Sequence, residues 1–440
     1  MPMTQAHAHD RPHRHHYDAE MLSVEEALER ILAYFSVLPA EECLLLDAVG
    51  QVLDEDVVAA FDIPPLANSA MDGYAVRSQD VVTASGESPV RLKVVGAVAA
   101  GEVSDRVVAP GETLRIMTGA PVPEGADAVV AFEDTDETER RESGGSAAEI
   151  GIGMAAEAGE NVRPAGEDVG RGTVVLSRGT VLRPAELGVA ASLGLTTVRV
   201  IRRPVVAIVA TGDELLEPGE PRASGKIYNA NNYSVAASVR CQGGIAKILG
   251  TARDTVESVE SLLDEALDSD LVITSAGVSR GDYDLVKDIL AKKGQIALWS
   301  VRMRPAKPLA FGALDREGDG GRVPHLGLPG NPVSAMVAFE QFARPAIRKM
   351  MGKALLPRPT VQAILDDGVE NFDGRRVYAR VVVYRDGETY RARLTGNQSS
   401  GVLTSMALAN GLAICPHDRA RLNAGETATV QMLDWPEELF

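Results

Sequence analysis

The chain has 440 residues, with Asp+Glu 62 against Lys+Arg 44 and a net charge of -18. So acidic a chain is a poor general nucleic-acid binder, because duplex affinity rests mainly on Lys and Arg at phosphates. An anionic ligand would have to be held by a local positive site against the overall field.

Hydrophobic residues make up 45% of the chain, enough for several cores, and the length suggests roughly three domains. No apolar run reaches the ~20 residues of a membrane span. The N-terminus lacks a basic-then-apolar leader, so a cytoplasmic enzyme without membrane contact is the expectation. The 3 cysteines, Cys43, Cys241 and Cys415, are scattered and form no C-x-x-C pair. Neither structural zinc nor a disulfide framework is expected, and sulfur for a soft metal would have to come from the substrate.

Residues 1–20 read as a disordered, His-rich tail, with metal scavenging as the other reading. Ser23 and Glu26 make a capping box ahead of a helix with Leu28, Ile31, Leu32 and Phe35 on one stripe. Residues 46–158 read as a small β-rich domain with strands at 90–95 and 128–132. The charged stretch Glu133 to Ser146 reads as an exposed hairpin tip. Residues 159–195 form a connector with a helical patch at 184–193, expected to pack against the first helix (residues 21–45), since short helices are marginal alone.

Residues 196–352 alternate strand and helix. Val205 to Ala210, Ile245 to Leu249, Leu271 to Ile273 and Ile296 to Trp299 are the strands. Helices fall at 233–239, at the stripe Val259, Leu262, Leu263, Ala266, Leu267, and from Asp284 to Leu290. This predicts a doubly wound, mostly parallel sheet. Residues 353–440 return to β and predict a small barrel or sandwich. The fold class is therefore multidomain α/β.

Open α/β sheets bind ligands beyond the carboxyl ends of their strands, so the loops there carry the candidates. Thr211-Gly212-Asp213-Glu214-Leu215 offers carboxylates, as ligands or as a helix cap. Asp254, with Glu257 three residues on, fits a cap and also a ligand. The small-residue loop through Gly277, Ser279, Asp282 and Asp284 offers backbone N–H groups to a phosphate and carboxylates to a hard cation such as Mg²⁺. Arg302, Arg304 and Lys307 cluster between prolines as an oxyanion site or a solvated basic loop. Pro329-Gly330-Asn331-Pro332-Val333-Ser334 starts a helix, with Asn331 as N-cap and Pro332 at the first position.

These loops together resemble the MoeA family and the gephyrin E domain. So do Asn68-Ser69-Ala70-Met71-Asp72-Gly73-Tyr74-Ala75-Val76, Arg115-Ile116-Met117-Thr118-Gly119-Ala120, and Asn161-Val162-Arg163 with Gly166-Glu167-Asp168. The resemblance spans roughly residues 20–435. It implies four structural domains, an elongated homodimer, and a molybdenum insertase. That enzyme transfers molybdate onto adenylylated molybdopterin, with Mg²⁺ and release of AMP, at the last step of molybdenum cofactor synthesis. It also implies the molybdopterin adenylyltransferase and acceptor molybdoenzymes as partners. By position, the functional residues would be Asp72, Thr118, Arg163 and Asp168, with Glu214, Asp254 and Asp284 as metal ligands. Gly277, Ser279, Arg304, Lys307, Pro329, Gly330, Asn331, Ser334 and Ser400 would bind substrate.

This sequence departs from the pattern in three places. Ser300 stands where many relatives carry Lys, and Arg302 is not an equivalent replacement. Ala276 and Ala306 replace glycines, which costs about 1 kcal/mol or more wherever φ is positive. Two alternatives follow: adenylylation of molybdopterin by a related sheet domain, or a non-catalytic pterin-binding scaffold.

Overall fold

A computed structural model describes residues 21–142, 148–275, 285–316 and 320–437. Two compact units emerge. One holds the described residues up to Cys43, residues 50–54 and those from Arg199 onward; the other holds residues 44–49 and 55–198.

The first unit is built on a six-stranded sheet. Its strands, β1 to β6 in chain order, are Val205–Thr211, Ile245–Ala252, Leu271–Ser275, Gly294–Ser300, Pro308–Asp315 and Arg322–Leu328. Their order across the sheet is β2-β1-β3-β6-β5-β4. β1 runs parallel to β2 and β3, and β3 to β6. β5 alone runs the other way, antiparallel to β6 and to β4.

The continuous apolar run of β1 is explained by layers on both faces. Val206 and Ile208 share a core with Val235 and Val239 of helix Ala230–Cys241, and with Val333, Val337 and Phe342. Ala207 and Val209 point the other way, into Val259 and Leu263 of helix Val256–Ala266 and Ile289 and Leu290 of helix Leu285–Lys293. Each fully buried Val, Leu or Ile contributes about 1.5–3 kcal/mol, so both layers are needed.

The β5–β6 hairpin carries no signal in the sequence reading. Pro308, Ala310, Gly312 and Ala313 have low strand propensity. Gly312 is there for space, because a Cβ would lie 1.9 Å from the Gln295 carbonyl oxygen.

Helix Val24–Leu32 is capped as the sequence suggests: Glu26 N–H donates to Ser23 Oγ at 3.1 Å and Ser23 N–H to Glu26 Oε2 at 2.8 Å. Its packing differs from expectation. Ala27, Ile31 and Phe35 enter the sheet unit's core with Phe339 and Phe342, whereas helix Pro184–Ser192 belongs to the other unit. The sheet's helices offer these side chains an aromatic surface that the Ala-rich 184–192 segment does not.

The C-terminal part is a closed five-stranded barrel. Strand Arg376–Asp386 pairs with Thr389–Leu394 and Gly411–Cys415, and strands Thr360–Leu365 and Thr427–Met432 complete the ring. Leu365, Val381, Val383 and Val430 fill it. The short strand Met303–Arg304 leaves the sheet and pairs with the start of Arg376–Asp386.

The second unit carries a five-stranded sheet ordered Ala128–Ala131, Gly73–Val76, Glu112–Ile116, Val90–Val98, Glu149–Ile152. Residues 143–146 of the expected hairpin tip lie outside the described residues, and the part that is described, up to Glu142, is instead a 3₁₀ turn at Phe132–Asp134 and a helix at Glu137–Glu142. Ion pairs Asp136–Arg140 (3.1 Å) and Glu137–Arg141 (2.5 Å), each one helical turn apart, support it. Among the described residues no helix is long and apolar enough to cross a membrane.

His325 lies in the middle of the sheet at 0% exposure, its Nε2 3.0 Å from Thr274 Oγ1. Burial pushes its pKa down to about 3. The folded ring therefore stays neutral while the unfolded ring protonates near pH 6.5. Stability from this group is complete above pH 6.5 and is lost as pH falls toward 3. Urea unfolding at pH 7.5, 6.0 and 5.0 should show the wild type losing up to about 1.4 kcal/mol per pH unit more than His325→Leu. Parallel pH profiles would refute the assignment.

Candidate active-site cleft

A cleft of about 770 Å³ opens beside the carboxyl ends of β4 and β6. From the sheet side it is lined by Arg304, Lys307, Pro329, Gly330, Asn331 and Ser334, and from the barrel side by Ser400. The structure thus brings together the candidates read from two loops and from the C-terminal domain. The loop 301–307 is closed at its base, since Ser300 and Pro308 are register partners in the β4–β5 pair.

Arg304 is held in place from the barrel. Its guanidinium donates to the Glu370 carbonyl at 2.5 Å and lies 3.9 Å from Asp373. Burial works against the charge on Asp373, but the Arg375 hydrogen bond and charge, with Arg304, hold its pKa below the usual carboxylate range. Lys307 makes no ion pair among the described residues. Asn331 occupies the N-cap position of helix Pro332–Ala338, yet its side chain makes no cap bond. Its Nδ2 donates instead to Ser400 Oγ at 3.1 Å, and Val333 N–H donates to the Ser400 carbonyl at 3.1 Å. Asn231 Nδ2 fixes the Gly330 carbonyl at 2.8 Å.

Ala306 adopts φ 74°, so the left-handed conformation feared from the sequence is real. Its methyl is 5% exposed, within the main core. Burial of one carbon, worth about 0.8 kcal/mol, roughly offsets a conformational cost of about 1 kcal/mol.

Neither Ser300 nor Arg302 lines the cleft; the positive charge of Arg304 and Lys307 is supplemented there by residues the sequence reading missed. Arg375 and Arg380 both line it. Arg380 is 1% exposed, its Nε donating to Ser405 Oγ at 3.1 Å and its Nη2 to the Ser399 carbonyl at 3.2 Å. Burial, with the nearby Arg304 charge, lowers its pKa to about 10. The available signal was Arg380 inside the apolar run Val377 to Val383, because Arg is rarely buried without a task.

Glu214 and Asp254 lie on neighbouring loops after β1 and β2. Asp213 N–H donates to Asp254 Oδ2 and Asp254 N–H to Asp213 Oδ1, both at 3.3 Å. The cap of helix Val256–Ala266 is Thr255, whose side chain accepts from Ser258 N–H, so Asp254 does not cap. Gly212, at φ 139°, leaves room for Glu214, since a Cβ there would lie 2.4 Å from that carboxylate. Gly277, Ser279, Asp282, Asp284 and Ala276 fall outside the described residues. Among those described, no group of three His, Cys, Asp or Glu forms a metal site.

In the second unit, Thr118 donates both its N–H and its hydroxyl to Asp72 Oδ1 at 2.7 Å. These bonds, the backbone one foremost, hold the Asp72 pKa below its usual value. Arg163 sits beside them, because its strand pairs Arg163 with Asn68 and the Gly119 N–H binds the Ser69 carbonyl at 2.8 Å. Asp168 is on the adjoining turn, its N–H bound to the Ile63 carbonyl at 3.0 Å.

Comparison with known families matches residues 22–194 to the MoeA N-terminal region (domain I and II). Residues 207–349 match a "probable molybdopterin binding domain", and 362–433 the MoeA C-terminal region (domain IV). The chain is similar to molybdopterin molybdenumtransferase 2 of Mycobacterium tuberculosis, 39% identical over 87% of this chain and 92% of that one. It is 34% identical to molybdopterin molybdenumtransferase of Staphylococcus aureus over 93% and 95%. A crystal structure of a MoeA molybdopterin biosynthesis protein from Pyrococcus horikoshii superimposes with TM-score 0.73 at 29% identity, covering 94% of this chain and 100% of that one. With the MoeA N-terminal and C-terminal regions flanking a shared sheet domain in order along it, the chain belongs to the MoeA family.

Proposed function

We propose that this chain is a molybdenum insertase, which transfers molybdate onto adenylylated molybdopterin with release of AMP as the final step of molybdenum cofactor synthesis. The observation that carries the reading is the cleft. It gathers Arg304, Lys307, Arg375 and Arg380 beside the hydroxyls of Ser334 and Ser400, in a chain whose net charge is -18. A tetrahedral dianion needs several fixed donors, and charged donors make the stronger bonds. Arg304, restrained by Glu370 and Asp373, and Lys307 would hold molybdate while the substrate's dithiolene takes the metal.

Glu214 and Asp254 suit Mg²⁺, which takes oxygen ligands, often one or two carboxylates with waters and substrate phosphates. Asp284 would be the third carboxylate. Bound there, Mg²⁺ would neutralise the pyrophosphate. The helix start at Asn331 and the Gly277–Ser279 loop would cradle that group, and Ser400 would fix the helix start through Asn331. Asp72, Thr118, Arg163 and Asp168 would be the functional residues carried by the second unit. The reading carries a homodimer, a molybdopterin adenylyltransferase as donor and molybdoenzymes as acceptors. It also divides the chain into domains at 21–45 with 159–195, 46–158, 196–352 and 353–440.

The test is AMP release from adenylylated molybdopterin with and without molybdate. Molybdate-dependent release supports the insertase; consumption of ATP on free molybdopterin would point to adenylylation instead. Lys307→Ala and Arg304→Ala should each raise the molybdate concentration for half-maximal rate by at least about 10-fold, the value of one charged hydrogen bond. An unchanged molybdate requirement would remove them from the oxyanion site. Asp254→Asn and Asp284→Ala should lower Mg²⁺-dependent AMP release by roughly 10²-fold or more, as loss of a fixed charge does. Near-wild-type release by Asp284→Ala would refute its role as a metal ligand.

A further inference from the structure

Phe372 lines the same cleft and is 76% exposed. It sits in the turn between strands Val369–Glu370 and Arg376–Asp386. An exposed Phe on a loose turn could fold onto the nearest apolar surface, but this turn is pinned on both sides of it. Asn371, 3% exposed, donates its N–H to the Ala420 carbonyl at 2.8 Å. Its Nδ2 donates to the carbonyls of Arg419 at 2.9 Å and Pro416 at 3.1 Å. On the other side, Asp373 accepts from Arg375 Nε at 2.9 Å. The Arg304 guanidinium lies 5.7 Å from the Phe372 ring centroid, within cation–π range. The result is an exposed aromatic ring on an anchored turn, lining the cleft beside a residue placed in the oxyanion site.

We propose that Phe372 is the stacking platform for a fused nitrogen heteroaromatic ring of the substrate, setting that ring in register with the anion held by Arg304. This rests on the insertase reading and names a recognition element for it. Adenylylated molybdopterin carries two such rings, the pterin and the adenine, and both have the flat polarisable face that stacks on Phe. The rest of the ligand would then run along the cleft toward Lys307 and Ser400.

The experiment compares wild type, Phe372→Ala, Phe372→Leu and Phe372→Trp for molybdate-dependent AMP release. Loss of one aromatic stack should raise KM for adenylylated molybdopterin roughly 5- to 150-fold in Phe372→Ala. The kcat at saturation should change much less. Phe372→Leu should stay impaired and Phe372→Trp should recover, which separates stacking from plain apolar contact. Equilibrium titrations with 6-hydroxymethylpterin and with AMP assign the ring: the one that stacks on Phe372 binds wild type and is lost in Phe372→Ala. Active wild type with an unchanged KM in Phe372→Ala would overturn the platform and leave the insertase standing. Wild type without AMP release would overturn the function instead, while the two titrations still test the stack. Equal binding of both probes by wild type and Phe372→Ala would overturn it in either case.

Discussion

Two residues, Met303 and Arg304, step out of the sheet's connecting loop and join the edge of the barrel strand that begins at Arg376. Nearly everything about the cleft depends on that short pairing. It lays a sheet-derived loop against a barrel-derived wall and brings Arg304 to the Glu370 carbonyl and Asp373. It leaves Lys307 on the near side and Ser400 opposite. On the other flank, the Asn331–Ser400 side-chain contact ties the helix start to the barrel. The site is thus a seam between sheet and barrel, and Tyr378, Met406 and Leu412 of the barrel side pack into the sheet's own core.

The electrostatics of the seam are deliberate in a chain with this net charge. Arg380 is buried with a hydroxyl and carbonyls as partners, and those neutral dipoles leave its charge uncancelled. Burying an ion is expensive without compensation, and here carbonyl dipoles do the compensating. The positive potential therefore remains to act on whatever enters the cleft. Arg375 differs, since Asp373 takes up much of its charge. The cleft combines one guanidinium kept strong and another kept in place.

Much of the sheet was legible because its strands are apolar on both faces and its helices carry stripes. The alternation of Val206 and Ile208 with Ala207 and Val209 is a direct reading of two covering layers. The β5–β6 hairpin was not legible, because small residues such as Gly312 and Ala313 are chosen for close backbone approach, a property with no periodic signature. The partner of helix Val24–Leu32 was not legible either, since an amphipathic stripe states that a face is covered and not by what. Within the site, loop candidates such as Arg304, Lys307 and Asn331 were readable from their chemistry. Arg375 and Phe372 were not, and Arg380 stood out only as a charge inside an apolar run, because their relevance arises only when the barrel closes and turns one wall toward the sheet. Asp254 shows the limit of local pattern: its neighbour Thr255 takes the cap, which leaves the carboxylate for other uses.

The loop from 301 to 307 has its two ends stapled together, for Ser300 faces Pro308 across the β4–β5 pair. Its midpoint is stapled again, to the barrel. A segment anchored three times over seven residues has almost no slack. It follows that this stretch cannot absorb a change of length: one added or deleted residue would rotate Arg304 and Lys307 away from each other while both strands stayed intact. A change in the shape of this cleft that spares Arg304 and Lys307 has to come from the opposing barrel wall, and the sheet loop acts as the ruler against which that wall is cut.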